Sequence, residues 1–148
     1  MAENYYATAL YDSTWSYFSK ALKIDENNVV IKNNYAYYLA EQNIRLKEAE
    51  KMSEYTLNID PENATFLDTY AWILFRMNKA KKAKRIIERA IDSNVGRDAE
   101  ILDHYGDILF VLGKYRESLA CWNEALDIDP GKKNDIIPKI ESATEKVR

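Results

Sequence analysis

The chain has one histidine, His104, and it sits between two carboxylates, Asp103 and Asp107. On a helix, Asp103 and Asp107 share a face at four-residue spacing, while His104 points elsewhere. A hard cation needs more oxygen ligands than this pair supplies. Hydrolysis needs a nucleophile with an oriented base, and none is specified. The cluster therefore reads as a solvated or ligand-facing helix surface, with no metal and no cofactor. Cys121 is the single cysteine, so no disulfide forms within the chain. It lies between Ala120 and Trp122 in an apolar helical pattern and is expected to be a buried small hydrophobe. Lys79, Lys81, Lys82, Lys84, Arg85 and Arg89 form a basic run. Ala80, Ala83, Ile86, Ile87 and Ala90 take the packed side of the same helix, so the basic residues fall on a solvated outer face. Nucleic acid is not expected as a partner, and no enzyme is expected here.

The elements that would position these residues are helices. The 148 residues make one domain, with 47% hydrophobic content, 21 basic and 24 acidic side chains, and only four glycines and three prolines. No run of apolar residues is long enough to cross a membrane, for which about 18 are needed. Residues 1–10 lack the basic start and apolar run of a secretory signal. Apolar spacing of three and four predicts helices over 5–24, 29–40, 47–59, 64–77, 79–92, 99–112, 114–128 and 135–147. A break near Asp12–Ser13 would split the first. Asn63 is placed to cap one helix, and Pro61 and Pro130 mark boundaries. Gly96 and Gly113 are free to turn the chain with positive φ. Ile136, Ile137, Ile140 and Ala143 form one stripe on the last helix, and Pro138 is tolerable there in the first turn.

The helices repeat. Tyr35–Ala36, Tyr70–Ala71 and Tyr105–Gly106 are each 35 residues apart, and Ala21, Thr56, Ala90 and Ala125 follow at 35, 34 and 35. One helix pair cannot bury both of its apolar faces, so stacked pairs are required, and small residues at fixed places let them approach closely.

The pattern resembles the tetratricopeptide repeat (TPR) family. Leu102, Tyr105, Gly106, Leu109, Tyr115, Ser118, Trp122, Ala125 and Pro130 carry the family motif in the last repeat. Leu67, Tyr70, Ala71, Leu74, Ala83, Ile87 and Ala90 carry it in the central one, with Val95 where proline is usual. Tyr35, Ala36, Leu39, Ala49, Ser53, Thr56 and Pro61 carry it earlier. Extra loop residues fall after Glu41 and near Val95. The resemblance implies an all-α fold, a right-handed α-α superhelix of about three and a half helix pairs plus a C-terminal capping helix. The units would be a partial repeat over 1–27, repeats over 28–61, 62–96 and 97–131, and a cap over 133–147. In the partial repeat, Thr14, Phe18 and Ala21 match a second helix with its turn around Ala9–Leu10, which suggests a natural chain extending upstream. Localisation is left open. It reads as cytoplasmic as written, and as periplasmic or envelope-associated if a signal lies upstream. LDTYAWILF and ILDHYGDILF resemble repeat proteins of Bacteroidetes-type bacteria.

For function the resemblance implies a non-enzymatic scaffold that binds protein or peptide on the concave face of the first helices. The alternative is a spacer or self-association module of a larger envelope or secretion protein. The groove positions implied are Asn33, Tyr37, Ala40 and Glu41, then Asp68, Trp72, Phe75 and Arg76, then Asp103, Asp107, Phe110 and Val111. Tyr37, Trp72 and Phe110 recur at about the same place, and a packing role between adjacent first helices stands as the alternative for Trp72, Phe75 and Phe110. Asp68, Asp103 and Asp107 would make the groove acidic, favouring a ligand with Lys or Arg beside apolar side chains. Asn33 and Arg76 alone do not make the clamp by which chaperone-binding relatives hold a terminal carboxylate.

Overall fold

In a computed structural model, residues 2–93 and 97–148 are described, with side chains described from Ser13 onward. The helices are α1 (Ala2–Ile24), α2 (Val29–Glu41), α3 (Leu46–Ile59), α4 (Ala64–Arg76), α5 (Ala80–Asp92), α6 (Ala99–Val111), α7 (Tyr115–Ile128) and α8 (Lys133–Lys146), with a 3-10 turn at Pro130–Lys132 before the last. The pairs α2/α3, α4/α5 and α6/α7 stack in sequence, and α8 closes the stack against α7. The first helices α2, α4 and α6 touch one another and form the inner layer. No described helix is long and apolar enough to cross a membrane.

Each inner helix starts and stops by the same chemistry at the 35-residue period. Asn28, Asn63 and Asp98 hold extended backbone, and their side-chain oxygens accept from the N–H of Ile31 (2.9 Å), Phe66 (3.1 Å) and Ile101 (3.0 Å). These bonds satisfy donors that a helix start leaves open. Replacing Asn63 with alanine is expected to cost about 1 kcal/mol, read from the urea midpoint, because alanine offers that N–H nothing. At the other end, Asn43, Asn78 and Gly113 turn the chain with φ of 56°, 64° and 78°. The following N–H then reaches back to the helix, from Ile44 to Leu39 O (3.1 Å), Lys79 to Leu74 O (2.9 Å) and Lys114 to Leu109 O (2.9 Å). Asparagine and glycine are the residues that tolerate this conformation. The extra residue expected after Glu41 is real: Arg45, also left-handed at φ 47°, lengthens the first turn. The extra residue near Val95, and the turn at Gly96, lie outside the described residues.

Packing follows the small residues. Ala36, Ala71, Ala49, Ala83, Ser53, Thr56, Ala90 and Ala125 have no exposed surface, so paired helices meet close to backbone. Gly106 has the strongest need: a Cβ there would lie 2.2 Å from Trp122 Nε1. Around these contacts sit Leu39, Leu67, Ile73, Leu74, Ile87, Leu102, Ile108 and Leu109, all at most 1% exposed.

Four expectations need correction. First, α1 runs unbroken from Ala2 to Ile24, without a break at Asp12–Ser13 or a turn at Ala9–Leu10. Asp and Ser lower helix propensity only mildly, and neither glycine nor proline is present to stop the helix. Second, Pro138 is the sixth residue of α8, past its first turn. The carbonyl it orphans belongs to Asn134, which is exposed and can bond water. Third, Ile137 is 42% exposed, while Ile136 and Ala143 are fully buried. The 136/140/143 spacing makes one face against α7, and residue 137 is turned about 100° away from it. Fourth, Cys121 is only partly buried, and burial pushes its thiol up to about 11. A protonated thiol of this kind is a poor nucleophile at neutral pH.

Candidate binding site on the concave face

The inner layer brings together residues that are far apart in sequence. His104 of α6 is 6% exposed, because it occupies the place that buried Thr69 holds one period earlier and so faces the neighbouring helix. The histidine is therefore not solvated, although it still borders the polar cleft together with Asp103 and Asp107. Its Nδ1 lies 2.9 Å from Oδ1 of Asp68 on α4, which is itself 6% exposed. Its Nε2 lies 3.3 Å from the hydroxyl of Tyr37 on α2, and that hydroxyl donates to Glu100 Oε1 at 3.0 Å. The Trp72 ring stacks on the imidazole with centroids 4.2 Å apart.

Burial by itself would push His104 down. The charge of Asp68 and its hydrogen bond, with Glu100 and Asp107 behind, carry it above the ordinary value of 6.5. The imidazolium suits the geometry: both ring N–H groups have acceptors, and the Tyr37 proton is left for Glu100. Burial, followed by the charges of Glu100 and Glu41, raises the Tyr37 hydroxyl as well, so it remains a donor.

Asp103 and Asp107 share one face of α6, as expected, and both are held by a residue that the sequence did not single out. Lys139 of α8 places its Nζ 2.8 Å from Asp103 Oδ1, 2.9 Å from Asp107 Oδ1 and 3.1 Å from Asp107 Oδ2. Burial would lower Lys139, but Asp107 and the two hydrogen bonds raise it, so the ammonium is retained. Burial also lifts Asp107 above the usual carboxylate range, against the pull of Lys139. The three aspartates that made the groove look acidic are therefore partnered from within, Asp68 by His104 and the other two by a single Lys139, whose one positive charge offsets one of their two negative charges. Beside Asp135 of α8, the carboxylates of this face left open to solvent include Glu41 and Glu100. Each accepts from a neutral donor, Trp72 Nε1 at 2.7 Å and the Tyr37 hydroxyl, and forms no ion pair among the described residues.

Two clefts result. One, of about 320 Å³, has apolar walls of Trp72, Phe75, Phe110 and Val111, with Trp122 at its floor. Arg76, Asp107 and Lys139 stand at its edge, and Arg76 is steered by a bond from Nε to Ala40 O at 3.0 Å. The other, of about 510 Å³, is polar and contains Tyr37, Glu41, Glu100, Lys132 and Asp135. Trp72, Asp107 and Lys139 border both.

The implied groove positions thus divide. Tyr37, Glu41, Trp72, Phe75, Arg76, Asp103, Asp107, Phe110 and Val111 line one or both clefts. Asn33, Ala40 and Asp68 are buried in the packing of the inner layer. Trp72 takes both of its alternatives: it is 8% exposed, wedged between helices, and it still forms a wall. The residue at the place of Tyr37 and Trp72 in the third repeat is Asp107, while Phe110 is the counterpart of Phe75. Lys139, Glu100 and Trp122 were missed as site residues. The signal for Lys139 was its position one 35-residue period after His104, on a helix treated only as a cap.

The family described as "Anaphase-promoting complex, cyclosome, subunit 3" matches residues 41–125. No curated protein matches the sequence. Among solved structures, the first TPR domain of the human RPAP3 protein is similar with a TM-score of 0.71 at 17% identity, over 80% of this chain and 91% of that one. A thermophilic TPR protein from Thermus thermophilus gives 0.69 at 18% identity, over 86% and 69%. The first TPR of Spaghetti (RPAP3), bound to the HSP90 peptide SRMEEVD, gives 0.71 at 17% identity, over 83% and 95%. At such identities the structures show the fold alone. The family match spans more than half of the chain and falls on the same capped, 35-residue helix pairs, so this protein belongs to the tetratricopeptide-repeat proteins, in the family described as anaphase-promoting complex, cyclosome, subunit 3.

Proposed function

We propose that the chain is a non-enzymatic scaffold whose concave face takes an extended peptide presenting an apolar side chain beside a basic one. The observation that carries this reading is the juxtaposition of the two clefts. An aromatic-walled cavity of about 320 Å³ shares Trp72 with a polar cleft in which Glu41 and Glu100 accept only from neutral donors and form no ion pair among the described residues. Concave sites lined by aromatic groups with a few placed polar groups are the usual form of a binding pocket. The neighbour bound to SRMEEVD supports peptide binding by a domain of this shape. That ligand is acidic, and the carboxylates on this concave face favour the opposite sign. The segments at 67–75 and 101–110 further support an origin among Bacteroidetes-type bacteria, as this reading's place for the protein.

Selection of a random dodecapeptide phage library on the immobilised protein tests the reading. Enriched peptides are expected to pair an aromatic or aliphatic residue with Lys or Arg. Val111 is 62% exposed, so Val111→Asp puts a charge on the cleft wall without entering the core. It should weaken an enriched peptide about tenfold, roughly 1.4 kcal/mol, by fluorescence anisotropy. No enrichment, or equal binding to Val111→Asp, would overturn the proposal.

A further inference from the structure

We infer that Lys139 is the specificity-determining residue of the concave face: an internal cation, delivered by the C-terminal helix, that decides which charge a ligand can bring and at which end. The inference rests on the peptide-binding reading above and deepens it.

Asp103 and Asp107 lie one helical turn apart on α6 and would otherwise present two like charges to the cleft. The Lys139 ammonium has three donors and directs them to both carboxylates, in charge-assisted bonds of 2.8–3.1 Å. The grouping is partly sheltered, with the side chains of Lys139, Asp103 and Asp107 at 32%, 14% and 18% exposure. Solvent therefore screens it less than an ordinary surface pair. Lys139 is not needed to dock α8, which is seated on α7 by Ile136 and Ala143 at zero exposure, with Ile140 beside them.

The consequence is an asymmetric field along the groove. At the apolar cleft the edge carries Arg76 and Lys139 against Asp107. The carboxylate at that edge, Asp107, is already held by Lys139, so a ligand ammonium finds no free acceptor there. In the neighbouring cleft Glu41, Glu100, Asp103, Asp107 and Asp135 outnumber Lys132, Lys139 and the His104 imidazolium, and a ligand ammonium is welcome. Lys139 stands on the border of both, so it aligns a peptide with its apolar residue in one cleft and its basic residue in the other. Without it, the grip of Asp103 and Asp107 would open to a ligand cation, and the alignment would be lost.

The test is the same dodecapeptide selection run in parallel on the wild type, on Lys139→Met and on Asp103→Asn/Asp107→Asn. Methionine keeps the apolar stem, and asparagine keeps the shape of aspartate. Lys139→Met should raise the mean positive charge of the enriched peptides and place basic residues on both sides of the apolar anchor. The double asparagine variant frees Lys139 and should shift enrichment toward acidic peptides. A purely structural role for Lys139 would lower enrichment without moving charge in opposite directions. Three pools of the same charge, from a wild type that does enrich peptides, would overturn the inference and leave the peptide-binding reading standing. A wild type that enriches none would overturn both. Melting curves accompany each variant, and if Lys139→Met fails to fold, the acidic shift in the asparagine variant decides the matter alone.

Discussion

His104→Ala is expected to lower the unfolding free energy by about 3–5 kcal/mol, the usual cost of leaving one partner of a buried ion pair uncompensated. Asp68, 6% exposed, would lose the group 2.9 Å from its Oδ1, and Trp72 would lose the ring it stacks on. The double variant Asp68→Ala/His104→Ala should lose less than the sum of its parts, because the stranded charge is then absent. Additive losses would show that the two groups do not act as a pair. The same contact makes stability depend on pH. The folded chain binds the His104 proton more tightly than the unfolded chain, whose imidazole titrates near 6.5. The contribution is therefore fully present below that value and is lost as pH rises through the higher folded value. Urea midpoints should fall as pH rises above about 6.5, and that fall should vanish in His104→Ala. Cys121 adds its own fall only above about pH 9, since its thiol titrates at about 11 in the fold and at 9.0 ordinarily, and His104→Ala leaves that part in place. A flat wild-type profile would sink the pairing.

Gly106→Ala carries the second large effect, and its sign separates helix propensity from packing. Alanine is the better helix former by about 1 kcal/mol. In this fold the added Cβ would lie 2.2 Å from Trp122 Nε1 and 2.5 Å from Cδ1. Trp122 cannot give way, since it is 2% exposed and its Nε1 donates to the Asp103 carbonyl at 3.2 Å. Overpacking of this kind costs about 1–3 kcal/mol, enough to reverse the gain in propensity. The urea midpoint should fall, and a second change, Trp122→Leu, should recover part of the loss in a double-mutant cycle. Since Trp122 floors the apolar cleft, Gly106→Ala should also weaken the peptides that the wild type enriches. A stabilised Gly106→Ala would show that the indole has room the structure denies it.

The fold was readable because its determinants are local and periodic. Asn28, Asn63 and Asp98 cap through bonds that span three residues. Asn43, Asn78 and Gly113 turn the chain by their own backbone preference. Small residues at one period mark the helix contacts, and three repeats in register leave little choice of architecture. The limits of local reading show at α1 and at Pro138. At α1 the mild breakers Asp12 and Ser13 do not stop the helix, and at Pro138 solvent takes the carbonyl that a strong breaker frees.

The chemistry of the concave face was less readable, because charge is set by neighbours rather than by type. Asp68, Asp103 and Asp107 look alike in the sequence, as three acids on three turns. Only the stacking of α6 on α4 puts His104 against the first, and only the docking of α8 brings Lys139 to the other two. Those contacts span 36, 36 and 32 residues, beyond the reach of any helix-face argument. Composition and period by themselves determined the helices, their pairing and which faces are apolar. Tertiary structure decided which acids remain free, because a carboxylate counts toward a ligand only when nothing in its own fold has already neutralised it.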